Sequence, residues 1–243
     1  MSIKIGRFLS LRDAGLLFDV HANNTFCLCT QHYYYQLWKD GDHERGDENE
    51  SRADFQNGSH KIVQLANCSF ISCWSVIDNE SNLRWDIFNF KPDVVIISDN
   101  SAVGKFLQTH FEHQLKARAF NFQEGRVQYH DGTEPSGFNL DQVAFMKNKK
   151  YERQNEYRFI LKYLPPSPIF QKIVFYIGFP GTGNSESHFA TKIIFNPRLL
   201  NNALPQEEER LLKRVVIGLI AENMFNDQRV PQYDEILLAN KPK

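Results

Sequence analysis

The chain has 243 residues, 42% hydrophobic and 13% aromatic, which is enough apolar surface for a buried core and too much for a disordered chain. Its 28 basic and 29 acidic residues leave a formal charge of -1, so no whole-molecule field favours nucleic acid or an anionic membrane. Four cysteines (Cys27, Cys29, Cys68 and Cys73) are too few for a disulfide scaffold and match no zinc-module spacing, and reduced core thiols are expected.

Charges at Lys4, Arg7, Arg12 and Asp13 interrupt any apolar run long enough for a signal peptide or a membrane helix, and the expected location is the cytosol. Asn-x-Ser/Thr triplets such as those at Asn23, Asn57, Asn67 and Asn79 then meet no glycosylation machinery. IKIGRFLSL reads as a first strand, with Ile3, Ile5 and Arg7 alternating, and LRDAGLLFD offers a short helix. NNTFCLCT is a second strand after an Asn-Asn turn. QHYYYQLW carries more ring surface than one strand face buries, so part of it is expected to line a groove. Residues 40 to 60 are charged, Gly-containing and aperiodic, a long polar loop.

Order returns with a helix or strand from Lys61 and then a strand through Phe70, Ile71 and Trp74, followed by the β-branched run VVIISDN at 94 to 100. SAVGKFLQTHFEHQLKARAF predicts a helix from Ser101, as N-cap, to Phe120, with Val103, Phe106, Leu107, Phe111 and Leu115 as its apolar stripe. GRVQYHD reads as a strand, GTEPSG as a turn and LDQVAFMKNKKYERQNE as a helix that hands over to the strand EYRFIL, which LPPSP ends. QKIVFY and ATKIIFNP add strands. EEERLLKRVVIGLIAENMF adds a helix whose acidic first turn suits the positive end of its dipole. The pattern predicts a single α+β domain over 1–243, with a mostly antiparallel sheet, continuous or split, flanked by helices.

Three constellations offer chemistry weakly. His110 and His113 lie three apart on the predicted helix without an acidic partner to complete a ligand set, and no metal is expected. FPGTGNSES at 179 to 187 has the glycines of an anion-binding turn but lacks the lysine of a phosphate loop, which favours a hairpin. Neither serine nor cysteine shows a nucleophile context, and Cys73 reads as core.

The stretch YERQNEYRF at 151 to 159 is more informative. On a strand, Gln154, Glu156 and Arg158 share one face by period two. On an exposed edge such a row is an ion pair of little weight; in a cleft, the carboxylate suits stabilisation of an oxocarbenium-like state.

YYY with its acidic loop, Ser72-Cys73-Trp74-Ser75, Arg84-Trp85-Asp86-Ile87-Phe88, Val127 to Tyr129, and Lys149 through Arg158 occur in an order that resembles the bacterial family catalogued as domain of unknown function 2971. The resemblance spans most of the chain through short motifs. It departs from the family pattern at Arg84, where a Met is expected, and at Gln154, where an acid is expected.

Gln154-Asn155-Glu156 also resembles the catalytic edge of ADP-ribosyltransferases. That resemblance implies an ADP-ribosyltransferase-like fold and NAD as a substrate, with loss of nicotinamide and transfer of ADP-ribose to a protein or nucleic-acid acceptor, in a toxin or defence setting. Glu156 would stabilise the cationic ribose and Gln154 would orient the acceptor. Arg7, Tyr34 (within Tyr33 to Tyr35), Ser72, Trp74, Trp85 and Arg158 would hold NAD. A non-catalytic reading stays open beside it: a nucleotide- or protein-binding module of a bacterial conflict or regulatory system, docking through the aromatics at 33 to 38 and the acidic loop. There the charge of Glu156 is structural, met by Lys149, Lys150 and Arg158. A nuclease lacks a visible acidic cluster or basic cleft.

Overall fold

The computed structural model describes residues 2–18, 25–41, 68–88, 91–131, 140–163, 172–176, 192–201 and 204–221. Most of the polar loop, the strand or helix expected from Lys61, and the stretches GTEPSG, LPPSP and FPGTGNSES lie outside them. The architecture is α+β with mostly antiparallel strands, and the chain clusters into two compact units. Unit 1 comprises residues 1–26, 91–103 and 175–243; unit 2 comprises 27–90 and 104–174. Among the described residues no helix is long and apolar enough to cross a membrane.

In unit 1 the central strand is β4 (Val94–Asp99), whose β-branched run is buried as a strand flanked on both sides must be. It pairs antiparallel with β1 (Lys4–Leu9), from Lys4↔Asp99 to Leu9↔Val94, and on its other edge with β9 (Lys192–Phe195). Helices α1 (Leu11–Phe18) and α6 (Gln206–Ala221) pack together, burying Leu11, Ala14, Leu17, Leu212 and Val215. Ser10 caps α1: its hydroxyl accepts the Asp13 N–H at 3.1 Å and donates to the Asp13 carboxylate at 2.9 Å.

Asp93, just ahead of β4, ties this unit together. One carboxylate oxygen accepts the Leu11 N–H at 2.9 Å, and the other accepts the Arg198 guanidinium at 2.8 Å from Nε. Arg198 opens the one-turn helix α5 (Arg198–Asn201) and also reaches Glu208 of α6 at 3.4 Å. The Asp93 backbone donates to Leu9 O at 2.8 Å and accepts from Asn196 N at 2.7 Å.

In unit 2 the strand order is β2–β3–β8–β5, all antiparallel: β2 (Thr25–Thr30) pairs Cys29↔Ile71, β3 (Ser69–Val76) pairs with β8 (Glu156–Tyr163) from Ser69↔Lys162 to Ser75↔Glu156, and β8 pairs with β5 (Phe120–Arg126) from Phe120↔Tyr163 to Arg126↔Tyr157. A small parallel pair, β6 (Gln128–His130) with β7 (Met146–Asn148), forms a separate two-stranded sheet beside the start of β8. The pleat sorts the side chains into two faces. One carries Phe70, Ser72, Trp74, Phe120, Phe122, Tyr157 and Phe159; the other carries Ile71, Cys73, Ser75, Glu156, Arg158 and Ile160.

The first face meets α3 (Asn100–His110, from Gly104 onward) and α4 (Glu112–Lys116). Phe111 packs edge-on to Phe120 with centroids 5.8 Å apart, and a Cβ on Gly104 would fall 2.5 Å from Glu124 Oε2, so any larger residue there must displace that carboxylate. On the second face, Tyr34 of α2 (Gln31–Lys39), Ala144 and Phe145 cover Ile71 and Ile160.

Two expected helices change form. The helix expected from Ser101 to Phe120 starts at Asn100, whose side chain accepts the Ile3 N–H at 2.7 Å, and α4 ends at Lys116. Arg118, at φ 56°, turns the chain left-handed, with Arg118 N bonded to Leu115 O at 3.0 Å and Ala119 N to Gln114 O at 2.9 Å, a Schellman closure that frees Phe120 for β5. The helix expected over LDQVAFMKNKKYERQNE is two 3-10 turns, Leu140–Phe145 and Lys149–Gln154, separated by β7. Strand pairing with β6 outcompetes the helical spacing, and the left-handed Asn155, at φ 44°, ends the second turn.

Substituting Asp93→Ala removes the acceptor of the Leu11 N–H at the start of α1 and leaves the half-buried Arg198 with only the more distant carboxylate of Glu208. It is expected to lower unfolding stability by roughly 1–3 kcal/mol, read as a shift of the urea midpoint at unchanged slope. An unchanged midpoint would show that these bonds are replaced by water at no cost.

Candidate functional site: a buried ion network beside a basic depression

Glu156 is the first residue of β8 and only 5% exposed, so an ionised carboxylate there requires counter-charge. Two cations supply it. Lys147 Nζ, from β7, lies 2.5 Å from Oε1, and Arg158 Nε, two residues along the same strand, lies 2.9 Å from Oε2. Arg158 is fully buried and donates from Nη1 to Ala144 O at 2.8 Å, which holds the first 3-10 turn against the sheet. Lys147 also donates to Gln154 Oε1 at 2.9 Å and sits 4.7 Å from the Tyr151 ring centroid. The Glu156 N–H donates to the Tyr129 phenol oxygen at 2.8 Å.

Burial by itself raises the Glu156 carboxyl, but Lys147 and Arg158 overcome it and bring it down to about 2. Burial, reinforced by the Glu156 charge, pushes the Tyr129 phenol up to about 12.

Next to this network the surface is concave. Arg84, Asp86, Ile87, Lys150, Tyr151, Arg153 and Gln154 line a depression of about 380 Å³, three cations against one carboxylate. Asp86 is held below the usual carboxylate range chiefly by a hydrogen bond from Arg84, 3.4 Å away, with Arg153 adding to the effect. Gln154 belongs to both features, because it lines the depression and bonds the ammonium that neutralises Glu156.

The expected row of Gln154, Glu156 and Arg158 is therefore brought together, although Gln154 ends a 3-10 turn and joins the others through Lys147. Lys147, in place of the expected Lys149 and Lys150, is the second cation on Glu156. Tyr34 covers the face that carries Glu156. Ser72 and Trp74 lie on the opposite face: Trp74, 1% exposed, packs against Phe159 and donates to Ser72 Oγ at 3.0 Å. Trp85 is half-buried in the turn between Arg84 and Asp86. Arg7 is half-buried on β1 of unit 1, opposite Ile96.

Lys147 and Tyr129 were missed by sequence reasoning. VQYHD and MKN are signals for two strands, but only their parallel pairing, Tyr129↔Lys147, carries both residues to Glu156. His110 and His113 flank the turn at Phe111, and among the described residues no group of three or more His, Cys, Asp or Glu could hold a metal. Comparison with family models, with curated proteins and with solved structures gave no match to this chain.

A carboxyl lowered from 4.5 to about 2 by folding contributes about 3 kcal/mol, fully present above about pH 4.5 and lost as pH falls toward 2. Glu156→Gln should therefore unfold at lower urea than wild type at pH 7, with the gap closing over that acid window; a gap independent of pH would contradict the ionised state.

For Tyr129 the order is reversed. Its neutral phenol is favoured in the fold, and that contribution is lost between about pH 10 and 12. Ultraviolet titration should find one tyrosine ionising near 12 that is missing from Tyr129→Phe, and that variant should lose roughly 1–3 kcal/mol through the unpaired Glu156 N–H. Identical alkaline profiles for the two proteins would refute the assignment.

Proposed function

We propose that unit 2 is a binding module for a phosphorylated small molecule of the nucleotide class, held in the depression bounded by Arg84, Lys150 and Arg153. The convergence of those three cations with the Tyr151 ring and the Gln154 amide carries this reading. Guanidinium forks match the paired oxygens of a phosphate, an ammonium adds a point charge, and a phenol ring offers a stacking surface. The volume lies within the range of about 300–1,000 Å³ typical of small-molecule sites. A formal charge of -1 for the whole chain makes the attraction local.

In this reading Glu156 is a structural counter-ion. Both its oxygens are engaged, and Arg158, fully buried, is out of reach of a ligand.

A second reading, NAD cleavage by an ADP-ribosyltransferase-like enzyme, draws support from the position of Gln154, which joins the depression to Glu156 through Lys147. It requires Glu156 to exchange one cation for a ribose hydroxyl. NAD carries a pyrophosphate, so both readings use the same basic wall.

Calorimetric titration with AMP, ADP and NAD, alongside an assay for nicotinamide release, separates them. The binding reading expects ADP affinity that falls with added salt and drops about tenfold in Arg153→Ala, with no nicotinamide released. Absence of binding by all three nucleotides at millimolar concentration refutes it. Nicotinamide release that disappears in Glu156→Gln establishes the second reading in its place.

A further inference from the structure

We infer that Lys147 fixes the side-chain amide of Gln154 with its donor side toward the depression, so that Gln154 selects an oxyanion on the ligand. The inference rests on the binding reading above and assigns its specificity-determining residue.

An ammonium has three donors and no acceptor, so the atom of Gln154 that lies 2.9 Å from Lys147 Nζ must be the oxygen. The reverse orientation would set an NH2 against an NH3+. Lys147 has little freedom to move away. It is 2.5 Å from Glu156 Oε1, packs on the Tyr151 ring, and has a side chain only 10% exposed.

The amide nitrogen of Gln154 is then turned from the ammonium, on a residue that lines the depression, and its two donors have no partner among the described residues. It joins Arg84, Lys150 and Arg153, which are likewise donors only, around one hollow. A wall with three cations and one amide donor is complementary to phosphate oxygens. Asp86 is its one carboxylate, and a single oxygen of it pairs with Arg84 at 3.4 Å. Lys147 is a positioning residue here: it acts through Gln154.

The test is titration of ADP and of adenosine into wild type, Gln154→Met, Lys147→Met, the double variant and Arg153→Ala, with the unfolding midpoint of each recorded. Gln154→Met removes the donors at similar length. It should weaken ADP about tenfold or more and leave adenosine unchanged, while the acceptor lost to Lys147 lowers the unfolding midpoint; unchanged adenosine binding shows that the site itself survives. In the double variant the loss should equal that of Gln154→Met alone, since an amide that is absent cannot be oriented.

Wild-type ADP affinity in Gln154→Met, with Arg153→Ala impaired, overturns this inference and leaves the binding site intact. Equal losses for ADP and adenosine overturn the oxyanion assignment. Failure of wild type to bind ADP overturns both the site and its selectivity.

Discussion

A carboxylate removed from water must be matched by positive charge, and in this chain Glu156 is matched twice, by a cation from its own strand and by one from a separate strand pair. Much of the local architecture of unit 2 follows. Arg158 cannot leave the interior, so its remaining donors draw in the Ala144 carbonyl and add a polar tie to a turn whose Ala144 and Phe145 already pack on Ile71 and Ile160. Lys147 must stay near Oε1, which holds β7 in place, and β7 pairs with β6, where Tyr129 closes over the Glu156 N–H. The Lys149–Gln154 turn is held between Lys147 and Asn155, and it carries Lys150, Tyr151, Arg153 and Gln154 to the surface as a group. A buried charge network and an outward-facing basic hollow are thus two sides of one short stretch of chain.

This arrangement separates two roles that a row of polar residues on a strand leaves merged. Residues of β8 itself face inward and have partners; the residues that precede β8 face a concave surface rich in donors. A carboxylate whose oxygens are both bonded to cations is a poor group for meeting a substrate, whereas a cluster of exposed cations beside a ring and an amide suits a phosphate. The proposed nucleotide binding follows from that division of labour, and catalysis by Glu156 would require the network to open.

Much of the fold was legible in the chain because the relevant signals are local. A continuous β-branched run marks β4, an amphipathic period with an acidic first turn marks α6, and alternation followed by a short apolar helix marks β1 and α1. The stretch from 140 to 154 misled because its spacing of apolar residues suits a helix, while a non-local partner, β6, takes Met146–Asn148 as a strand. The site was half legible for the same reason. Gln154, Glu156 and Arg158 are neighbours in sequence, but Lys147 and Tyr129 arrive through pairing that no spacing reveals. The resemblance to ADP-ribosyltransferases puts Trp74 beside Glu156 as a contact of NAD; the register Trp74↔Tyr157 places them on opposite faces, and a one-residue shift would reverse that.

The claim on which the rest depends is that Glu156 and Arg158 act as one buried pair, and a double-mutant cycle measures that directly. Stabilities of wild type, Glu156→Gln, Arg158→Met and the double variant should be non-additive by about 1–3 kcal/mol, with the double variant losing less than the sum of its parts, because each single change strands the other charge in the interior. Additive losses would mean that the two residues do not depend on each other, and the network would no longer explain how this part of the chain is held.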